Sequence, residues 1–118
     1  VREPMIEFPS KFNESIDPHS PVVIIDDLLD TGATMGHLVQ EFKRGGFEEV
    51  AVCVLVDKPS ARKIDLSPDF CGLVSDSDAW LVGYGMDTEK RYRALDGIYT
   101  LEQAPSQPDQ KQLDFQIE

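Results

Sequence analysis

The chain has 118 residues, a length for one domain, and 41% of them are apolar, enough for a core and outside the disordered range. Asp and Glu total 22 against 11 Lys and Arg, a formal charge of −11. That balance excludes the basic face a nucleic-acid binder needs and argues against an anionic membrane surface as partner, so an anionic ligand would be held by a few local groups or a metal.

Residues 1–21 are rich in Pro, Ser and charge, and Met5-Ile6-Glu7-Phe8 is a candidate short edge strand within them. The opening Val1-Arg2-Glu3-Pro4 has no apolar leader and no initiating Met, which reads as a fragment or a trimmed chain. The run Val22-Val23-Ile24-Ile25 predicts a strand buried on both faces of a parallel sheet and ending at Asp26-Asp27. Thr31 or Thr34 is placed to cap a helix, and Met35, Leu38, Val39 and Phe42 fall at i, i+3, i+4 and i+7, one apolar stripe. Gly45-Gly46 stops that helix, and Val50–Val56 is a second buried-type strand. Strand, turn, helix, glycine stop and strand make a βαβ unit with a right-handed crossover. A polar stretch then runs to Pro68. Phe70–Val74, Ala79–Gly85 and Gly97–Leu101 are further strand candidates, and residues 88–94 read as one or two helical turns. From Gln103 the chain is rich in Gln, Pro and Asp and reads as a tail.

The longest apolar runs are far too short to span a bilayer, so no membrane is expected. Cys53 and Cys71 form no CxxC pair and read as reduced core thiols of a cytoplasmic protein.

The chemistry concentrates where the first strand ends. In open α/β sheets ligands bind at the carboxyl ends of strands. Asp26, Asp27 and Asp30 arrive there together, and carboxylates at that density repel one another unless they serve hydroxyls, a cation or a proton. Asp30-Thr31-Gly32-Ala33-Thr34 then turns into a helix start, where free N–H groups, two hydroxyls and the positive end of the helix dipole converge on an anion, with phosphate the usual guest. One loop thus offers acids for alcohols and a seat for phosphate, the two needs of a ribose 5-phosphate. Any single Asp or Thr here is more often a solvated acid or an ordinary cap. The whole string after a buried strand is not.

The string Val22-Val23-Ile24-Ile25-Asp26-Asp27-Leu28-Leu29-Asp30-Thr31-Gly32-Ala33-Thr34 resembles the phosphoribosyl-pyrophosphate signature of type I phosphoribosyltransferases. Asp57-Lys58-Pro59-Ser60, Trp80-Leu81-Val82-Gly83-Tyr84-Gly85-Met86-Asp87 and Arg91-Tyr92-Arg93 narrow the resemblance to the hypoxanthine (hypoxanthine-guanine) branch. The resemblance implies an α/β, parallel-sheet, Rossmann-like fold that is short at its N-terminus, with the phosphoribosyltransferase domain over residues 1–102, its motifs within 22–101 and a tail at 103–118.

It also implies roles. Asp26 and Asp27 would hold the ribose hydroxyls, directly or through magnesium, and Asp30 would accept the purine proton. Residues Asp30, Thr31, Gly32, Ala33 and Thr34 would bind the 5-phosphate. Lys58 would donate to the purine 6-oxo group, Trp80 would stack on the base and Leu81 would present backbone to its edge. Asp87 would bind Mg2+ on the pyrophosphate side, and Arg93 would contact pyrophosphate. Each has a physical rationale and a bland counterpart. An indole stacks on a planar base but is also a good core residue. A lysine at a strand end selects a 6-oxo over a 6-amino purine, yet most lysines are simply solvated. Asp87 and Arg93, taken alone, read as a turn aspartate and a surface arginine.

The implied reaction transfers 5-phosphoribosyl from phosphoribosyl pyrophosphate to N9 of a 6-oxopurine in purine salvage. The pyrophosphate loop of the family has no counterpart in residues 1–21, and Ala33 stands where mammalian relatives carry lysine. A sheet lacking central strands exposes apolar edges, so a homo-oligomer, dimer or tetramer, is expected. The missing loop leaves open a non-catalytic, nucleotide-binding regulator. A receiver-type signalling domain with Asp57 as phospho-acceptor lacks room for a second βα unit, and a purely structural module leaves the acidic constellation without use.

Overall fold

The structure is a computed structural model that describes residues 15–86 and 90–101, and the backbone of the strand Phe115–Ile117. The possible strand at Met5–Phe8 and the metal position Asp87 lie outside the described residues. The chain divides into two compact units, Val1–Asp76 and Ser77–Glu118.

The first unit is a three-stranded parallel sheet in the order β1 (Val22–Leu29), β2 (Val50–Asp57), β3 (Phe70–Val74), with helix α1 (Ala33–Arg44) between the first two strands. The expected βαβ unit is present. Its core joins Leu29, Met35, Val52 and Val54, with Ile24, Val39 and Leu66 packed against it. Val52, Val54 and Val56 are buried while the alternate residues of β2 are only half-buried, so the central strand has one well-covered face.

β1 departs from the expected two-sided burial. Among the described residues it is an edge strand, and Ile25 is 77% exposed. The β-branched run still makes a strand, but of the described strands only β2 pairs with it. β1 also continues past Asp26-Asp27 to Leu29, because Leu28 and Leu29 pair with Val56 and Asp57.

Helix α1 ends as its glycines predict. Gly46 takes φ 95, its N–H bonds to the Lys43 carbonyl, and the Phe47 N–H bonds to the Phe42 carbonyl. The two rings meet edge to face at 5.5 Å. This pair of bonds with an apolar contact across it is a Schellman stop. The start differs from expectation. Neither threonine is the cap; Gly32 is, at φ 84.

The second unit is antiparallel, not a continuation of the parallel sheet. β4 (Trp80–Val82) pairs with β5 (Tyr99–Leu101), and β5 with β6 (Phe115–Ile117). β4 is shorter than expected because Gly83 and Gly85, at φ 97 and 87, turn the chain into a Gly83–Met86 bridge. Residues 90–94 are not helical: Lys90 and Tyr92 have φ 60 and 64. β6 falls within the stretch that the sequence offered only as tail.

Candidate active site

The C-terminal ends of β1 and β2 lie side by side, with Leu29 opposite Asp57 and the Lys58 N–H bonded to the Leu29 carbonyl at 2.9 Å. Asp30 and Lys58 are therefore the next residues out of two paired strands. Lys58 is only 6% exposed, which removes the reading of a solvated lysine.

Beyond β1 the chain bends sharply at Gly32, whose left-handed backbone lets α1 begin at Ala33. The first helical bond runs from the Gly36 N–H to the Gly32 carbonyl, so the N–H groups of Ala33, Thr34 and Met35 have no partner within the helix. The Thr31 hydroxyl sits 3.4 Å from the Ala33 nitrogen and accepts one of them. These groups open onto a cleft of about 170 Å³ lined by Asp26, Leu28, Leu29 and the loop from Asp30 to Met35. Several waters, and hence a phosphate, fit that volume.

Asp30 is half-buried, and its carboxylate accepts the Thr31 N–H at 2.7 Å. One carboxylate oxygen is thereby fixed while the other remains for a proton. Asp26 lines the cleft and accepts the Asp27 N–H at 2.8 Å. Burial raises the Asp26 carboxyl above its ordinary value; the Asp27 N–H opposes that, and the carboxyls of Asp27 and Asp30 push it further up. Asp27 is exposed, as Asp26 is, but does not line the cleft.

The structure therefore brings together Asp26, Asp30, Thr31, Gly32, Ala33 and Thr34, with Lys58 beside them at the strand ends. In the second unit, Trp80 is 43% exposed, too open for a core indole, and Leu81 beside it is buried. The Gly85 N–H bonds to the Arg93 carbonyl at 2.9 Å, which fixes the exposed Arg93 against the turn leading to residue 87.

The sequence reading missed the segment Arg62–Ile64. Arg62 pairs with Asp57 and donates from Nε to the Asp30 carbonyl at 2.9 Å, and the Lys63 N–H bonds to the Thr31 carbonyl at 2.9 Å. Its only signal was an Arg and an Ile inside a polar stretch just after β2. Asp69 was missed too; its carboxylate takes the Val52 N–H at 2.7 Å and pins the start of β3 to β2. Cys71 is exposed and not a core thiol, while Cys53 is half-buried; both are free.

The phosphoribosyl transferase domain family matches residues 5–89. This chain belongs to the phosphoribosyltransferase family. It is 41% identical over 83 residues to the hypoxanthine-guanine phosphoribosyltransferase of Bacillus subtilis (strain 168), covering 70% of this chain and 46% of that protein. It is 38% identical over 74 residues to the hypoxanthine phosphoribosyltransferase of Salmonella typhimurium, covering 63% and 41%. Among solved structures, a hypoxanthine-guanine phosphoribosyltransferase of Bacillus anthracis, with a HEPES molecule in its active site, superposes with a TM-score of 0.65 at 31% identity over 73% of this chain and 51% of that one. The phosphoribosyltransferase chain thus spans about half the length of the relatives it matches. Its α/β parallel sheet is that of the type I fold. Among the described residues, no helix is long and apolar enough to cross a membrane.

Proposed function

We propose that the chain carries the nucleotide-forming half of a purine-salvage phosphoribosyltransferase, which moves 5-phosphoribosyl from phosphoribosyl pyrophosphate to N9 of hypoxanthine or guanine and yields IMP or GMP and pyrophosphate. One observation carries this reading: a left-handed glycine starts a helix directly beside two strand-end carboxylates, so unpaired amides and acids open onto a single cleft. The phosphate of the sugar seats on the amides from Gly32 to Thr34, where the helix dipole adds attraction. Asp26, on the cleft, accepts from the ribose hydroxyls, and Asp27, which does not line it, would hold them through magnesium.

In the reaction, the N9–C1 bond forms and the bond from C1 to the pyrophosphate oxygen breaks. The purine proton passes to the carboxylate oxygen of Asp30 that Thr31 leaves open. The acids near the ribose stabilise an oxocarbenium-like centre. Lys58, buried at the strand end, donates to the 6-oxo group, and a 6-aminopurine would face it with another donor. Trp80 offers its open face to the base, Leu81 its backbone, and Arg93 its charge to pyrophosphate.

Mg2+ fits the donor set. Asp26 and Asp27 are hard oxygen ligands paired with no Lys or Arg among the described residues, and the mutual crowding that raises Asp26 is what a cation relieves. Asp87 would be its ligand on the pyrophosphate side. When bound, it neutralises charge on the leaving group.

The test is calorimetric titration with IMP or GMP in magnesium, paired with an assay for IMP formed from phosphoribosyl pyrophosphate and hypoxanthine. Wild type should bind and turn over, and Asp30→Ala should keep binding but lose about 10²–10⁴-fold in rate. Nucleotide binding without turnover in wild type would assign the protein as a nucleotide-binding regulator. No binding heat at all would remove the site.

A further inference from the structure

The phosphate cradle of this chain is not shaped by its own helix alone. Residues 62–64 lie across its outer side as a strap. Arg62 donates from Nε to the Asp30 carbonyl at 2.9 Å, and the Lys63 N–H donates to the Thr31 carbonyl at 2.9 Å. Ile64 rests on two glycines: a Cβ at Gly36 would lie 2.4 Å from Ile64 Cδ1, and one at Gly32 would lie 3.0 Å from Ile64 Cγ1 and from Arg62 Cδ. A side chain at Gly36 would force the end of Ile64 to move, and one at Gly32 would crowd Ile64 and Arg62 on a backbone already at φ 84.

The consequence follows from peptide geometry. In a planar trans peptide the C=O and N–H point in opposite directions. Holding the Asp30 carbonyl against Arg62 turns the Thr31 N–H toward the Asp30 carboxylate, where it is bonded at 2.7 Å. Holding the Thr31 carbonyl against Lys63 turns the Gly32 N–H away from the strap. Two carbonyl dipoles are thus drawn out of the anion seat; the Thr31 amide is taken by the Asp30 carboxylate, and the Gly32 amide is the one left turned away from the strap. Arg62 brings little net charge of its own, because Asp57 pairs with it and both side chains are nearly covered, at 12% and 13%. A third bond, from Arg62 to the Leu66 carbonyl, fixes the guanidinium plane.

The geometry points to Arg62, with the Lys63 backbone, as a positioning element that presets the phosphate seat through carbonyl orientation and not through charge. The Asp57 partner ties this seat to the end of β2, one residue before Lys58, so the base-reading lysine and the phosphate loop share one brace. This rests on the function proposed above, since it concerns how that same site holds a nucleotide phosphate.

A positioning role has a signature that general destabilisation lacks. Binding of IMP and of inosine, which lacks the phosphate, is measured by NMR titration for wild type, Arg62→Ala and Lys63→Pro. Arg62→Ala leaves Asp57 unpaired and risks unfolding. Lys63→Pro keeps that pair and removes the Lys63 N–H together with its ammonium, so Lys63→Ala, which removes the ammonium alone, is the control; Arg62, at φ −62 and ψ 134, already has the backbone that a following proline requires. Arg62→Ala and Lys63→Pro should each weaken IMP about tenfold, the worth of one well-made hydrogen bond, and leave inosine within about twofold, while Lys63→Ala should bind both as wild type does. Equal loss for both ligands, or no loss for IMP, in Arg62→Ala and Lys63→Pro overturns the strap while the site stands. Failure of wild type to bind IMP overturns the site reading itself, and the strap's role with it.

Discussion

At the scale of single residues, the site carries its own instability. Asp26 is held above its ordinary 3.8, first by burial and then by the acids beside it. The folded state therefore binds that proton more tightly than the unfolded chain does. From about pH 4 up to the raised folded value, the unfolded state releases its proton first, so stability falls as pH rises; above that window the penalty is constant. Asp26→Asn should raise the melting temperature of the ligand-free protein at pH 7, by about 1–2 °C, and flatten this fall. Under the proposed function the same substitution should weaken IMP binding, since it replaces the cleft-lining carboxylate proposed to accept from the ribose hydroxyls. Thermal scans from pH 4 to 8 with and without IMP check both halves; an Asp26→Asn protein that is less stable at pH 7 than wild type contradicts the argument.

At the scale of elements, local pattern and long-range contact divide what the sequence could say. Helix α1 was legible because its stripe and its glycine stop are both local: of the stripe, Met35 and Phe42 are buried and Leu38 and Val39 half-buried. Its start was misread because Gly32 adopts φ 84 under a strap that arrives thirty residues later. The acids and the threonine loop were legible as chemistry; Arg62, which braces them, was not, since nothing local marks an arginine that will pair with a strand end. The stretch 90–94 fails as a helix for a similar reason. Its backbone bonds to the Gly83–Met86 turn, with Tyr84 N–H to the Leu95 carbonyl and Gly85 N–H to the Arg93 carbonyl, and those partners override local propensity. Gly83 is the hinge of that arrangement. It has φ 97, and a Cβ there would stand 2.1 Å from the Gly97 carbonyl oxygen, which is backbone and cannot rotate away. Gly83→Ala should destabilise the second unit by about 2–4 kcal/mol and abolish the near-ultraviolet signal of Trp80, whereas Gly85→Ala, with open space around its Cβ, should meet only the backbone strain of about 1 kcal/mol. Equal effects of the two substitutions in chemical denaturation would refute the steric account.

At the scale of the whole molecule, the run Val22–Ile25 was read as doubly buried because parallel strands normally are, and the structure leaves one face of it open. Val23 and Ile25 are 52% and 77% exposed; Ile25 pairs in register with Cys53, and Cys53 with Phe70, itself 60% exposed. Phe70, Leu73 and Val74 line a wholly exposed edge strand. An apolar sheet face between two edges that pair with no further strand among the described residues is a surface that proteins ordinarily cover, and a net charge of −11 slows but does not prevent contact at moderate ionic strength. The chain should therefore associate with itself. Sedimentation velocity across a hundredfold range of concentration should show a species of two or more copies, favoured by salt as charge repulsion is screened. Ile25→Lys, at the most exposed position on that face, should shift the association at least about tenfold toward monomer without lowering the melting temperature of the monomer, because the residue contributes little to the core. A protein that stays monomeric throughout, or an Ile25→Lys variant that associates as wild type does, would place the contact elsewhere and leave this face without a partner of its own kind.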